Sequence, residues 1–327
     1  MKGRMLPRLA AISAAAVVAI AAGGAAAQGS YPERSIRMVL PFSAGGGTDA
    51  VGRIVAKGLS ERMKQTVVVD NRAGGGSTIG TDIVAKSAPD GYTLLFASAA
   101  HSFSPTVYDK LPYSQDDFVA ITVVNITPLM LTMHPSVPAK DLKSFIALLK
   151  ANPGKYDFGT SGQGTTLHIA AEHFVNAADV KAVHVPYKGE APAMADLLGG
   201  RVAFMVGQAS TAVPHVKSGK LVGLGVTTPK RLASIPEVPT ISEAGLPGFA
   251  AYGWNVIFAP KGTPRAIVER LNKELNAVIA SPEVQKSFAD LGLDVLDPTT
   301  PEQAAKFVAE ETKKWAPVIR AAGIKGG

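Results

Sequence analysis

The chain has 327 residues, of which 46% are apolar, and its formal net charge is +7. This length and this apolar content allow two domains with their own hydrophobic cores, and they exclude an intrinsically disordered chain. The sequence contains no cysteine, so disulfide bonds, thiol catalysis and cysteine-ligated zinc are excluded.

The first 27 residues are organised like a secretory signal peptide. Lys2, Arg4 and Arg8 provide a basic start, an apolar stretch follows, and three alanines end at Ala27. We predict export with cleavage near Ala27; the alternative is a transmembrane anchor, but the apolar stretch is shorter than a bilayer span. Without this segment the chain has 30 Lys and Arg residues against 26 Asp and Glu, a net charge of +4. These charges are dispersed, so we predict no nucleic-acid surface.

A glycine loop between a predicted strand and a predicted helix is the first candidate binding site. The strand covers Ile36 to Leu40, and helical spacing of apolar residues begins after Asp49. Glycines let backbone N–H groups turn toward a ligand, and the positive end of a helix dipole favours an anion there. We interpret Asp49 as a residue that holds the loop in shape rather than as an acid. The predicted ligand-binding residues of the loop are Phe42, Ser43, Ala44, Gly45, Gly46 and Gly47.

Two later segments repeat this arrangement of strand, glycine loop and helix. Residues 71–78 open a helix that we predict to run to about Lys86. Residues 159–166 open another, in which Leu167 and Phe174 share the apolar face. One such loop is common in α/β proteins, whereas three predict backbone donors that are brought together from different parts of the fold.

The order of predicted elements indicates an α/β fold with two lobes. Strands and helices alternate up to about Pro128, which is typical of a doubly wound, mostly parallel sheet that binds its ligand at the carboxyl ends of the strands. A second unit of the same kind follows, and the helical C-terminal part needs a sheet to pack against. We therefore predict a discontinuous lobe I of residues 28–127 and 252–327, and a lobe II of residues 128–251. Two extended crossings between the lobes form a predicted two-strand hinge.

Two enzyme classes compete with a binding function. Residues 45–50 fit a dinucleotide fingerprint, with Asp70 about twenty residues further on, but four residues separate the strand from the first glycine. Residues 159–163 nearly form a hydrolase elbow around Ser161, with Gln163 in place of the last glycine. His168 and His173 lie about 140° apart on one helix, so they do not chelate one metal ion. We expect neither a metal nor a cofactor.

Several motifs in this order resemble one protein family over nearly the whole chain after residue 30. The chain resembles the periplasmic solute-binding receptors of tripartite tricarboxylate transporters, the Bug or TctC-like proteins. The motifs are Tyr31-Pro32, Pro41-Phe42 with Gly45-Gly46 and Asp49, Asn71-Arg72 with Gly74 to Gly76, Pro89 to Tyr92, Gly159 to His168, Tyr187-Lys188-Gly189, Pro214-His215, Ser242 to Gly248, and Ala259-Pro260 with Gly262-Thr263-Pro264.

This resemblance implies a periplasmic Venus-flytrap receptor, not an enzyme, whose two lobes close on a small carboxylate. It also implies delivery of the cargo to inner-membrane transporter subunits, and we expect a monomer. In such proteins the first glycine loop holds one carboxylate through backbone groups. The other residues that the resemblance assigns to the cleft are Ser98 and Ala99 from lobe I, and Ser161, Gly162, Thr165, His168 and Tyr187 from lobe II.

One position departs from the family pattern. Many relatives carry Asp-Asn where this chain has Gly207-Gln208, and that aspartate can pair with a ligand amine. We therefore predict a ligand without an ammonium group, such as a dicarboxylate, a hydroxy acid or an aromatic carboxylate, with Gln208 in its site.

Overall fold

A computed structural model describes residues 31–293 and 297–326 of the chain. The predicted signal peptide lies outside the described residues. The strands are β1 (Ile36–Leu40), β2 (Val67–Asn71), β3 (Thr93–Ser98), β4 (Phe118–Met133), β5 (Asp157–Thr160), β6 (Val183–Pro186), β7 (Phe204–Gln208), β8 (Val222–Val226) and β9 (Tyr252–Pro260). The helices are α1 (Gly47–Met63), α2 (Thr78–Ala85), α3 (Ala100–Val107), α4 (Leu142–Ala151), α5 (Thr166–Ala177), α6 (Glu190–Leu198), α7 (Ala209–Lys217), α8 (Ile241–Ala244), α9 (Arg265–Ile279), α10 (Pro282–Asp290) and α11 (Pro301–Ala321).

The strands form two sheets, one in each lobe, which confirms the predicted two-lobed α/β fold. In the first sheet β2, β1 and β3 run parallel, and β9 lies antiparallel between β3 and β4. In the second sheet β6, β5 and β7 run parallel, and β4 lies antiparallel to both β7 and β8. Each lobe thus has a parallel part of three strands, to which antiparallel pairings of β4 with β9 or with β7 and β8 are added.

Strand β4 belongs to both sheets. It pairs with β9 as far as the Pro128–Tyr252 pair, and with β7 from the Leu129–Gln208 pair onward. The chain crosses back between the lobes next to this point of β4. The Ala251 N–H donates to the carbonyl of Thr227, and the Thr227 N–H donates to the carbonyl of Leu129. The lobe boundaries that we read from the sequence stay a prediction.

Local sequence explains where several helices begin. Thr300 and Gln303 form a capping box at the start of α11, with Pro301 in its first turn. Asp141 caps α4 through the N–H of Ser144. Residues 231–250, which are rich in proline and glycine, contain the short helix α8, and a capping box at Thr240 starts it.

The two tryptophan side chains, Trp254 and Trp315, are core residues. Trp254 on β9 is buried, and Trp315 on α11 is nearly so. Both indole N–H groups donate to the carboxylate of Glu311, at 3.3 and 3.1 Å, which fixes α11 to β9. No helix in residues 31–293 or 297–326 is long and apolar enough to span a membrane.

Candidate binding site

The glycine loops of the two lobes face each other across a closed cleft. A cavity of about 30 Å³ lies between them. Its wall combines the first glycine loop with the starts of α5 and α6 and the end of β7. The lining residues are Phe42, Ser43, Gly46, Gly47, Thr48, Asp49, Ser98, Ser161, Thr166, Leu167, Glu190 and Gln208.

Asp49 holds the first glycine loop in place. One of its carboxylate oxygens accepts hydrogen bonds from the Gly45 N–H at 3.0 Å and from Arg53 at 2.9 Å, and the other accepts from the Asn71 amide at 2.9 Å. Burial opposes ionisation here, but the bonds from Arg53, Gly45 and Asn71 outweigh it and hold the pKa of Asp49 below its usual value. These contacts agree with our interpretation of Asp49 as the residue that shapes the loop.

The loop of the second lobe is held by its own side chains. The Thr165 hydroxyl caps α5 and donates to the carbonyl of Gly162 at 2.7 Å, and Ser161 donates to Thr165 at 2.8 Å. His168 accepts the N–H of Gly164 at 3.0 Å, and its ring stacks on His184 with centroids 3.9 Å apart. Ser161 and its neighbours therefore present the loop to the cleft as one rigid unit.

Glu190 is the site residue that the sequence analysis missed. It is the first residue of α6, and 5% of its surface is exposed. One carboxylate oxygen accepts from the Gln208 N–H and from the Thr211 hydroxyl, both at 2.6 Å, and the other accepts from the Gly47 N–H at 3.3 Å across the cleft. Burial raises the pKa of Glu190 even though these bonds oppose the shift. Gly189, directly before Glu190, has a φ of 142° that favours glycine, but a glycine before a helix does not by itself mark the following acid as a site residue.

The position of Glu190 corrects the reasoning that we drew from Gly207. The sequence lacks, at Gly207, the aspartate that can pair with a ligand amine in relatives. A methyl group on Gly207 would lie 3.1 Å from a carboxylate oxygen of Glu190, so the neighbouring helix supplies an acid to the same place. The expected preference for an amine-free ligand therefore needs a different argument.

Several polar atoms in the cleft are buried and have no hydrogen-bond partner in the described structure. They belong to both lobes: the hydroxyl of Ser43 on one side, and those of Thr166 and Ser210 with the amide oxygen of Gln208 on the other. Gly47 touches this group, because a methyl group added to it would lie 2.8 Å from the Ser210 hydroxyl. Buried polar groups are nearly always satisfied, so unpartnered atoms that converge on one cavity indicate a site for a polar ligand.

A second cavity of about 350 Å³ lies outside the first and shares Phe42 and Ser161 with it. The second glycine loop, Gly74 to Ser77, forms one wall, and Gly162, Tyr187 and Lys188 of lobe II form the other. The Tyr187 hydroxyl donates to Asp196 at 2.7 Å within its own lobe. All three glycine loops thus reach the cleft, two at its inner part and the third at its mouth.

The predicted site residues fall into three groups. Those in the inner wall are Phe42, Ser43, Gly46, Gly47, Asp49, Ser98, Ser161 and Gln208. Those in the outer wall only are Gly162 and Tyr187. Ala44, Gly45, Ala99, Thr165 and His168 line neither cavity, and the last two act on the loop from behind. Direct ligand contact by any of these residues stays a prediction.

The contacts also bear on the two enzyme alternatives. Ser161 donates to Thr165 rather than to a histidine, and the ring of His184 is bonded to the Thr160 hydroxyl at 2.6 Å. His101 packs against the rings of Phe118 and Phe258 and lines neither cavity. The carboxylate of Asp70, the acid of the dinucleotide alternative, forms salt bridges with Arg37 and with Arg72, the latter at 2.9 Å. Within residues 31–293 and 297–326, no three or more potential metal-ligating side chains come together.

A family profile described as "Tripartite tricarboxylate transporter family receptor" matches residues 51–324. The chain belongs to this receptor family. The resemblance seen in the motifs is therefore confirmed, and the family is one of solute-binding receptors rather than enzymes.

Solved structures agree with this assignment. The receptor is similar to the periplasmic binding protein BugD, with a TM-score of 0.87 and 37% identity over 90% of this chain and 99% of that one. It is also similar to an R. palustris protein solved with adipate, with a TM-score of 0.87 and 32% identity over 90% and 99% of the two chains. A third is MatC from Rhodopseudomonas palustris with bound malate, with a TM-score of 0.85 and 31% identity over 88% and 100%.

Proposed function

We propose that this receptor captures a small carboxylate between its lobes in the periplasm and delivers it to the inner-membrane subunits of a tripartite tricarboxylate transporter. The observation that carries the proposal is the group of unpartnered buried polar atoms around the inner cavity, beside the helix start at Gly47. Hydroxyl groups and backbone N–H groups at a helix start suit a carboxylate. The adipate and malate of the two similar structures are both carboxylates.

We propose direct roles for the residues of the inner wall. The N–H groups around Gly46 and Gly47, with the hydroxyls of Ser43 and Thr166, donate to the ligand carboxylate. Four donors to a charged acceptor at about 1.5–3 kcal/mol each would supply roughly 6–12 kcal/mol. Ordering of the ligand and closure of the lobes subtract several kcal/mol, which leaves a dissociation constant on the order of micromolar.

The ligand enters by movement of the lobes. The inner cavity of about 30 Å³ has room for water but not for a dicarboxylate. We propose that the lobes, divided near residues 127–128 and 251–252, open about β4 and β9, and that one carboxylate then occupies the inner cavity while the rest of the ligand extends toward Phe42 and the outer cavity. Both walls of the cleft come from one chain, which supports a receptor that acts as a monomer.

We further propose that the ligand carries no ammonium group. The inner wall contains two acids, and both already accept hydrogen bonds within the protein. Asp49 is bonded to Gly45, Arg53 and Asn71. Glu190 accepts three bonds as described above. The first turns of α1, α5 and α6 also meet at this cavity, and their positive dipole ends disfavour an ammonium group there, so a dicarboxylate, a hydroxy acid or an aromatic carboxylate fits better than an amino acid.

A panel of acids tests this function. Adipate, malate, benzoate, aspartate and glutamate are added separately, and the melting temperature is followed before calorimetry on any acid that raises it. We expect at least one amine-free acid to raise the melting temperature and to be recovered unchanged. Binding of aspartate or glutamate alone would refute the amine-free preference, and stabilisation by none of the acids would refute the carboxylate function.

One pair of variants links the panel to the cleft. Ser43→Ala removes a buried hydroxyl from the inner wall, so we expect it to weaken binding of the best acid about tenfold, the effect of one hydrogen bond of about 1.4 kcal/mol. Ser218→Ala removes an exposed hydroxyl of lobe II that bonds the carbonyl of His215, and it should leave affinity unchanged.

A further inference from the structure

Glu190 places a carboxylate at the point where the proposed ligand would place its own. One oxygen of this carboxylate, Oε2, accepts a hydrogen bond from the N–H of Gly47 at 3.3 Å. Gly47 is the first residue of α1. The N–H groups of a first helical turn have no partner within the helix and attract anions. In the closed cleft Glu190 therefore contacts the backbone donor that the ligand carboxylate needs.

No cation balances the charge of Glu190 in the described structure. Salt bridges are found at Asp49, which pairs with Arg53 from α1, but not at Glu190. The groups that face Glu190 from β7 and α7 are Gln208 and Thr211, which are uncharged. At the start of α5, Thr166 and Leu167 are uncharged, and buried His168 is bonded to Gly164. Lys188 lies in the wall of the outer cavity.

A second anion in so small a space is unfavourable. Thr166, Glu190 and Gly47 all line a cavity of about 30 Å³, so a ligand carboxylate bonded there touches Glu190. When two carboxylates share one buried site, one of them keeps its proton. The neutral acid then donates a hydrogen bond to the charged one.

We propose that Glu190 contacts the ligand carboxylate as the neutral acid, so that each binding event takes up one proton from solvent. This inference rests on the proposed carboxylate function. The proton moves from water to the Glu190 oxygen that faces Gly47, the ligand stays ionised, and no other covalent bond changes. The O–H of Glu190 replaces the bond that its carboxylate accepted from Gly47, and this N–H becomes free to bind the ligand.

The direction of the pH dependence follows from this proton uptake. Burial already raises the pKa of Glu190 in the closed cleft, and a second carboxylate raises it further. At a pH above the pKa of Glu190 in the ligand-free protein, the association constant should fall about tenfold for each pH unit. The ligand contributes nothing to this change at pH 7 and above, because carboxylates in water are fully ionised there.

Calorimetry with adipate, malate and benzoate tests the inference at pH 7 and 8. Titrations in PIPES and in Tris buffer, which differ in ionisation enthalpy, count the protons taken up. We expect close to one proton per ligand for the wild type. We expect none for Glu190→Gln, whose amide donates at any pH and still accepts from Gln208 and Thr211. The variant should bind at pH 8 at least tenfold more tightly than the wild type.

The control is Glu237→Gln, which removes an exposed carboxylate of lobe II and should keep the proton uptake. Wild-type binding of one of these acids without proton uptake and without pH dependence would overturn the role of Glu190 and leave the carboxylate function standing. Binding of none of the three acids would overturn the function and this inference together. The wild-type proton count decides the question even if the variant does not fold.

Discussion

Asp49 and Thr165 shape the cleft through the backbone of its glycine loops. Each side chain accepts or donates bonds that fix neighbouring peptide groups, Asp49 at Gly45 and Thr165 at Gly162. The donors of the site are thereby held in position before the ligand arrives, and this lowers the entropy cost of binding. Because backbone groups provide these donors, few side chains in the sequence identify the ligand.

His101 gives the protein a predictable sensitivity to acid. It is buried beside Phe118 and Phe258, and burial lowers its pKa to about 4. The unfolded chain has an ordinary histidine pKa near 6.5, so between these values the unfolded state binds the extra proton. The stability that this neutral histidine contributes is complete above about pH 6.5 and is lost as the pH falls through about 4.

We expect His101→Phe to reduce the loss of unfolding free energy between pH 7 and pH 5 by about 2 kcal/mol, because phenylalanine does not titrate. Urea unfolding at the two pH values measures the effect. His134→Asn serves as the control, since His134 is only half-buried and its ring is bonded to the Ser136 hydroxyl. An unchanged pH dependence in His101→Phe would show that this ring is not the acid-sensitive group.

Among the helices, α1, α5 and α6 are the ones whose first residues meet at the inner cavity. Their dipoles point the same positive end at one small volume, so the field there favours an anion without a lysine or arginine in the wall. The second glycine loop acts differently. Gly76 has a φ of 59° and lies against Gln163 of the opposite lobe, where it sets how closely the lobes approach.

We expect Gly76→Ala to prevent full closure, because the added methyl group would overlap the carbonyl oxygen of Gln163. Ligand affinity should fall at least tenfold, as measured by calorimetry with the best acid of the panel. Gly219→Ala is a matched control, since Gly219 has a φ of 70° and no atom lies within 4 Å of the added methyl group. Both variants carry the same backbone strain, so equal affinities would refute the role of Gly76 in closure.

The sequence predicted the local features and missed the long-range ones. Thr300 with Gln303, and the glycines before α1 and α5, follow rules that act over a few residues. Glu190 gave no such signal, because an acid in a first helical turn is ordinary and its contact with Gly47 joins residues 143 positions apart. The antiparallel pairing of β9 with β3 and β4 was missed for the same reason, because the periodicity of a segment does not predict which distant strand it pairs with.

In the whole molecule, contacts across the cleft hold the lobes together. Thr48 accepts from the Gln208 amide at 2.9 Å, and the Tyr108 hydroxyl donates to the carbonyl of Gln163 at 2.9 Å. The side chain of Gln163 donates to the carbonyl of Lys325 at 2.6 Å, so the C-terminal segment of lobe I also reaches lobe II. These hydrogen bonds stabilise the closed form, and the ligand's contacts with both lobes add to this stabilisation.

We expect Gln163→Ala to speed ligand dissociation about two- to tenfold, the effect of one hydrogen bond of about 0.5–1.5 kcal/mol. Stopped-flow displacement of the best acid measures the rate. Gln285→Ala removes a bond of the same kind within lobe I, from its amide to the carbonyl of Ile279 at 2.7 Å, and should leave the rate unchanged. Equal rates in the two variants would show that the contact at Lys325 does not help to keep the cleft shut.

The central place of β9 in the first sheet sets an order of assembly. As a chain lengthens from its amino terminus, β1 to β4 are made early, but β3 and β4 become neighbours only through a strand that ends at Pro260. By then all of β5 to β8, together with the end of β4 that pairs with them, has been made. Lobe I is therefore begun first but completed last, at a time when all the strands of lobe II are available to fold.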